Sequence, residues 1–169
     1  MARPGFQLDI NLLRPESSGT VRLGSANPLD PPVIDPGYFS ESADIRKLTA
    51  GIRHMRHVVD QPALRGLVRN EISPGRACRS DRDMEKAIRM IAASGHHPAC
   101  TCRMGSDDDP DAVLDAELKV RGIEGLRVVD GSSLPDQVSG NLNAPIMMIA
   151  EKAADIILNR TPLPPEYPT

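Results

Sequence analysis

The chain has 169 residues with a net charge of −3 at pH 7, 40% hydrophobic residues and only 2% aromatic residues, a composition ordinary for a globular protein apart from its scarce aromatics. Its basic residues are not clustered with aromatic ones, which argues against nucleic-acid binding, and no apolar run reaches the roughly 18 residues of a transmembrane helix. The first residues lack the apolar core of a signal peptide, and the cysteines include a Cys-x-Cys pair, so we expect reduced thiols in a cytoplasmic protein.

The first forty residues carry the signals of extended structure. Apolar and polar residues alternate over residues 6–12, which predicts a half-buried strand. A turn cluster follows, and residues 20–23 then predict a returning strand. The proline-rich stretch 28–37 predicts an extended loop in which Val33 and Ile34 are the buried residues.

Two helices are predicted in the next fifty residues. Between Ser42 and Asp60 the apolar residues recur every three or four positions, with Ser42 as the expected N-cap and Pro62 ending the helix. A second helix is expected over residues 81–92. The apolar faces predicted for these two helices comprise Ile45, Leu48, Ile52, Met55 and Val59 in the first and Met84, Ile88 and Ile91 in the second.

The C-terminal part predicts one strand and one helix. Residues 126–129 read as a short strand, and a helix over residues 144–158 opens after Asn143, an expected cap, with Pro145 in its first turn. Its expected buried stripe is Ile146, Ile149, Ala150, Ala153 and Ile157. The order of elements favours an α+β fold, an antiparallel sheet with helices packed on one face, followed by a proline-rich tail.

The stretch SGHHPACTCRMG at residues 94–105 concentrates possible metal ligands. The spacing argues against zinc, because adjacent histidines in an extended segment point to opposite faces and a structural site usually draws its second ligand pair from a distant segment. The acidic run that begins at Asp107 does not match a calcium-binding loop, which needs glycine and glutamate where Ala112 and Leu118 stand. We therefore predict no metal site and a solvated acidic turn.

Two polar segments could instead act together in catalysis. His97 precedes a proline and is therefore held in an extended backbone. Downstream, Asn141 and Asn143 lie just before a helix N-terminus, where backbone N–H groups favour an anion or a carbonyl-rich ring edge. A neutral histidine and an amide that converge could remove a proton and hold the resulting oxygen. Asn143 as a simple helix cap is the alternative.

The segment from His97 to Gly105 resembles a known family signature. It reads HPACTCRMG, similar to the His-Pro-x-Gly-Thr-Cys-Arg-Met-Gly signature of the glucose–methanol–choline (GMC) oxidoreductases. Cys100 replaces the signature glycine, and we expect it to be a buried, inert thiol. Residues 112–132 and 140–155 continue the resemblance in the family's order, in the manner of its choline dehydrogenase-like branch.

The resemblance implies an FAD-dependent enzyme that oxidises a small-molecule alcohol by hydride transfer from carbon to the flavin. By residue-for-residue transfer, His97 would take the hydroxyl proton and Asn141 would hydrogen-bond the substrate oxygen. Asp130 and Gly131 would approach the ribityl and phosphate part of FAD. The flavin ring edge would be lined by Leu142, Asn143 and Ala144.

The resemblance also implies a domain organisation. Residues 1–95 would form the substrate-binding domain, and residues 96–169 would carry the histidine segment and return to the FAD domain through strand 126–129 and helix 144–158. The chain contains no Gly-x-Gly-x-x-Gly fingerprint, so the N-terminal Rossmann-like part of the family is absent from it. We expect a C-terminal fragment that is inactive in isolation; the alternative is a non-catalytic remnant or a module pairing with a separate FAD-domain chain.

Overall fold

The structure, a computed structural model, describes residues 4–161 and 163–167. The chain divides into two compact units, one ending at Gly95 and the other beginning at His96. Most of the proline-rich tail, residues 163–167, lies in the described range and forms no regular element, whereas residues 162, 168 and 169 lie outside it. In the described part of the chain, no helix is long and apolar enough to cross a membrane.

The first unit contains a two-stranded antiparallel sheet made of β1 (Thr20–Arg22) and β2 (Val33–Asp35). The antiparallel pairing confirms that part of the expected α+β fold. The expected burial is wrong: Val33 and Ile34 are 57% and 64% exposed, and since every strand residue is exposed, the helices do not cover this sheet. Residues 6–12 form no strand, because β2 and not this segment pairs with β1.

Three helices complete the first unit: α1 (Ser42–Val59), α2 (Pro62–Arg65) and α3 (Asp81–Ile91). The apolar spacing correctly predicted α1 and α3, which pack against each other. Ser42 is the first helical residue and not the N-cap. In α3 the predicted residues Met84 and Ile88 are buried, while Ile91 is exposed at the helix end.

The second unit has one long helix, α4 (Asn143–Ile157), and a single 3-10 turn at Gly131–Ser133. Its core comprises Leu114, Leu118, Leu134, Leu142, Ile149 and Ala153. Residues 126–129 do not form the predicted strand. Only an isolated antiparallel bridge from Lys119 to Arg127 forms there, because the chain turns sharply between them through Gly122 and Gly125, both with positive φ.

The predicted helix near the C-terminus is present, but its details differ from the sequence pattern. Asn143 is the first helical residue and makes no cap; buried Leu142 occupies the cap position, and no side chain bonds there. Ala150 and Ile157 are exposed and were wrongly assigned to the buried stripe. The apolar arc of α4 is thus wider than the surface that its own unit buries.

Candidate active site

The histidine segment lies along the 3-10 turn of the second unit. We call residues 96–104 the histidine strip. Three backbone hydrogen bonds hold it: the N–H groups of Cys100, Cys102 and Met104 donate to the carbonyls of Gly131, Ser132 and Ser133 at 3.2, 3.0 and 3.0 Å. Every second residue of the strip thus donates to the next carbonyl of the turn, and this regular pairing fixes the strip beside the turn.

The turn itself is closed by Asp130. Its carboxylate accepts a hydrogen bond from the Ser132 N–H at 2.7 Å, and its carbonyl accepts one from the Ser133 hydroxyl at 2.6 Å, the local bonding typical of an aspartate turn. Gly131 brings the turn close to α4, since a Cβ at this position would lie 3.1 Å from Ile146 Cδ1. A side chain there would require the end of the Ile146 side chain to shift by a few tenths of an ångström.

A pocket of about 490 Å³ opens where the histidine strip, the turn and the first turn of α4 meet. Five of the residues named from the resemblance share it: His97, Asp130, Gly131, Leu142 and Asn143. Two do not line it. Asn141 is exposed and lies immediately before Leu142 in the chain, and Ala144 is exposed in the first turn of α4.

Sequence reasoning missed several residues that line this pocket: His96, Pro98, Thr101, Ser132 and Ile146. Of these, His96 is exposed and has φ +58°, a conformation uncommon for residues other than glycine. Ser132 could have been found from its spacing two residues after Asp130, the pattern of an aspartate turn.

Cys100 lies in the histidine strip with φ +69°, the left-handed region that favours glycine. Its side chain packs against the apolar core of the unit. Burial raises the pKa of the Cys100 thiol, the Asp136 carboxylate raises it further, and Arg103 partly offsets both. The thiol is therefore protonated at neutral pH and a weak nucleophile, in agreement with the expected inert cysteine. The three cysteines are unpaired, and a cytoplasmic location stays a prediction.

The acidic run forms the exposed turn that was predicted, with Asp107 and Asp111 95% and 85% exposed, but Asp109 within it is half-buried. Arg103 forms two hydrogen bonds to the Asp109 carboxylate, at 2.6 and 2.9 Å, and these hold the pKa of Asp109 below its ordinary value. Arg121 pairs with Asp107 at 3.1 Å and donates to the Gly105 carbonyl at 3.0 Å. These pairs tie the end of the histidine strip to the following loop. Within the described ranges, His, Cys, Asp and Glu side chains nowhere gather in a group of three that could hold a metal.

Comparison with known proteins defines the class to which this fold and pocket belong. The model for the C-terminal domain of GMC oxidoreductases matches residues 15–150. The chain therefore belongs to the GMC oxidoreductase family.

Individual relatives resemble nearly the whole chain. The chain is 46% identical over 162 residues to an oxygen-dependent choline dehydrogenase of Vibrio vulnificus, covering 96% of this chain and 29% of that protein. Among solved structures, pyridoxine 4-oxidase from Mesorbium loti is 32% identical with a TM-score of 0.81, over 88% of this chain and 29% of the other. An FAD-dependent oxidoreductase from Chaetomium thermophilum is 35% identical with a TM-score of 0.78, over 83% and 24%. The chain thus spans less than a third of the length of these relatives.

Proposed function

We propose that this chain supplies the substrate-side wall of the active site of an FAD-dependent enzyme that oxidises a small alcohol. The observation that carries the proposal is the shared pocket, in which the exposed His97 meets the Asp130 turn and the first turn of α4. In this proposal residues 1–95 serve substrate binding. Residues 96–169 carry the base and lead back to an FAD-binding domain, in the same polypeptide or in a separate chain.

The size and lining of the pocket support a role as one wall of a flavin site. Its volume of about 490 Å³ lies in the range of ligand pockets. Pro98 and Ile146 offer apolar surface for a planar ring, and His97, Asp130 and Asn143 add polar groups to the lining. The first turn of α4 carries no side-chain cap, so its N-terminal dipole is available to the electron-rich edge of a ring.

Each residue of this wall receives a role. Asp130 and Gly131 would hold the ribityl and phosphate part of FAD. The ring edge would lie against Leu142, Asn143 and Ala144. FAD, when bound, accepts the hydride from the alcohol carbon.

His97 and Asn141 would act on the substrate. The neutral imidazole of His97 takes the hydroxyl proton, which leaves the alkoxide character that makes hydride loss favourable. The Asn141 amide donates a hydrogen bond to the same oxygen and holds its position. Asn141 does not line the pocket itself, so this role requires its exposed side chain to turn toward the space next to Leu142.

The relatives favour a choline-like alcohol as the substrate. The Vibrio vulnificus protein is a choline dehydrogenase with nearly half of its matched residues identical to this chain, and pyridoxine 4-oxidase is named for a substrate of a different shape. The alternative is a non-catalytic remnant, or a module whose partner is a separate FAD-domain chain.

The test uses a holoenzyme assembled from this chain and the FAD-binding portion of the Vibrio vulnificus relative. A general base contributes roughly 10²- to 10⁴-fold, so we expect His97→Gln to lower kcat for choline by at least about 100-fold while the bound FAD is unchanged. His54→Gln, a change to an exposed residue of α1, is the matched control and should keep full activity. Full activity in His97→Gln would refute the assigned base.

A second arm of the test omits the FAD-binding portion. Because the chain contains no dinucleotide fingerprint and offers one wall of a pocket, we expect the purified chain alone to retain little or no FAD after gel filtration. Stoichiometric yellow flavin that bleaches on addition of an alcohol would overturn this expectation.

A further inference from the structure

The side chain of Gln137 makes a hydrogen bond that the proposed mechanism does not yet use. Its Nε2 donates to the backbone carbonyl of His97 at 3.0 Å, across 40 positions of the chain. Its Oε1 is buried and has no hydrogen-bond partner. A buried orphan acceptor is unfavourable and calls for a reason. The hydrogen bond that the same amide donates to the His97 carbonyl supplies that reason.

His97 is the point of the histidine strip that most needs such support. The backbone ladder to the 3-10 turn begins only at Cys100, three residues further along. Pro98 carries no N–H group and cannot extend this ladder toward His97. The Gln137 amide therefore anchors the His97–Pro98 peptide plane, and this plane sets the direction in which the imidazole leaves the backbone.

Gln137 also lies in the segment that leads to Asn141, the second proposed catalytic group. Gln137 lies four residues before Asn141, in the segment between the 3-10 turn and α4. One side-chain amide thus joins the strip that carries the base to the loop that carries the oxygen-binding asparagine. A small displacement between two such groups is costly, since reacting atoms must be held in near-contact geometry.

We propose that Gln137 is a positioning residue, which fixes the His97 base relative to the Asn141 loop through the Nε2 bond to the His97 carbonyl. This inference rests on the proposed function for its effect on catalysis, while its effect on His97 can be measured without any cofactor. The chain offers a comparison in Gln61, whose Nε2 donates to the carbonyl of His57 at 3.0 Å and also lies 3.1 Å from the His57 ring Nε2.

The first measurement is the histidine NMR spectrum of the chain alone, which contains four histidines. His97 is assigned from the signal lost in His97→Gln. We expect Gln137→Leu to shift and broaden the ring signals of His97 and to leave those of His57 in place, whereas Gln61→Leu does the reverse. Because leucine also removes the orphan Oε1, the Tm should not fall. Gln137→Met serves as a second variant if leucine prevents folding.

The second measurement is the kinetics of the assembled holoenzyme. We expect Gln137→Leu to lower kcat by roughly 10- to 100-fold, the scale of a misplaced catalytic group, with KM and bound FAD unchanged. Gln61→Leu should retain the parent kcat. Unmoved His97 signals, or moved signals with an unchanged kcat, would overturn the positioning role. Full activity in His97→Gln would instead refute the proposed function, so the two failures are distinguishable.

Discussion

Cys100 occupies a backbone conformation that ordinarily selects glycine. At φ +69° a side chain costs roughly 1–2 kcal/mol relative to the right-handed region. The hydrogen bond from its N–H to the Gly131 carbonyl keeps the residue there, since the rest of the strip follows in register. This conformational free-energy cost arises from the Cβ at positive φ and does not depend on what the sulfur contacts.

A pair of substitutions isolates this backbone cost. Both Cys100→Gly and Cys100→Ala delete the thiol, but only alanine keeps a Cβ. We expect the glycine variant to be more stable than the alanine variant by about 1 kcal/mol, measured by urea unfolding. In most positions glycine is the less stable of the two, so an alanine variant of equal or greater stability would contradict the left-handed conformation.

Asp44 is a buried charged residue of the first unit. Its side chain is 1% exposed, and its carboxylate oxygens accept hydrogen bonds from the N–H groups of Glu16 and Ser17 at 2.9 and 3.0 Å. Burial by itself raises the pKa of Asp44, but these bonds, with Lys47 nearby, outweigh burial and hold the pKa below its ordinary value. The carboxylate therefore ties the N-terminal segment to α1 in its ionised form.

Asp44→Asn should lower the free energy of unfolding at pH 7 by about 2 kcal/mol, the scale of hydrogen bonds to a charged group. Since the folded-state pKa lies below the unfolded value of about 3.9, the stabilisation is complete above that value and is lost as pH falls through the folded pKa. The difference in the free energy of unfolding between the parent chain and Asp44→Asn, which we call the gap, should therefore narrow below about pH 4. A gap that is constant with pH would contradict an ionised Asp44.

At the scale of elements, one ion pair holds the segment between α2 and α3 to α1. Arg56 makes three hydrogen bonds to Glu71, two from Nε at 2.9 and 3.2 Å and one from Nη2 at 2.8 Å, and the side chains are only 16% and 17% exposed. The same guanidinium donates to the carbonyls of Gly75 and Cys78 at 2.9 and 2.8 Å. One position of α1 thus holds several points of a segment without regular structure, and Arg53 of the same helix adds a hydrogen bond to the Arg79 carbonyl at 3.4 Å.

Glu71→Gln should destabilise the first unit by about 3 kcal/mol, because it leaves a largely buried guanidinium without its counter-charge. The control is Glu85→Gln in α3, whose partner Arg89 and own side chain are 46% and 48% exposed, and which should cost less than about 0.5 kcal/mol. Thermal or urea unfolding of both variants measures the difference. Equal losses of stability in the two variants would contradict a larger contribution from the buried pair.

Elements in which apolar residues recur at helical spacing over many residues could be predicted from the sequence. The stripe of α1 runs from Ile45 to Val59, about four turns, and such a pattern is typical of an amphipathic helix. Short strands could not be predicted, because a strand forms only when a second segment pairs with it. Residues 6–12 have the right alternation but no partner, whereas the proline-rich segment that contains Val33 found one in β1.

The candidate site likewise has residues that the sequence indicated and contacts that it did not. His97, Asp130 and Gly131 were named because their segments resemble those of a known family, and they line one pocket; their roles stay predictions. The contacts of Arg103 with Asp109 and of Gln137 with His97 were not found. A side chain that bonds across a fold leaves no periodic signal in the sequence, least of all when 40 positions separate the partners.

At the scale of the whole molecule, the pocket belongs to the second unit alone. Every lining residue lies between His96 and Ile146, and several of them are exposed to solvent. The relatives are more than three times as long as this chain. A wall of this kind becomes an enclosed site only when a second surface faces it, which is why we propose an FAD-binding domain as the other wall.

The most direct test of the account is the crystal structure of the FAD-loaded holoenzyme assembled from this chain and the FAD-binding portion of the Vibrio vulnificus relative. We expect the flavin to contact the pocket formed by the histidine strip, the Asp130 turn and the first turn of α4, with the His97 imidazole facing the ring. A flavin bound away from this pocket, or a His97 ring turned from it, would contradict the central claim.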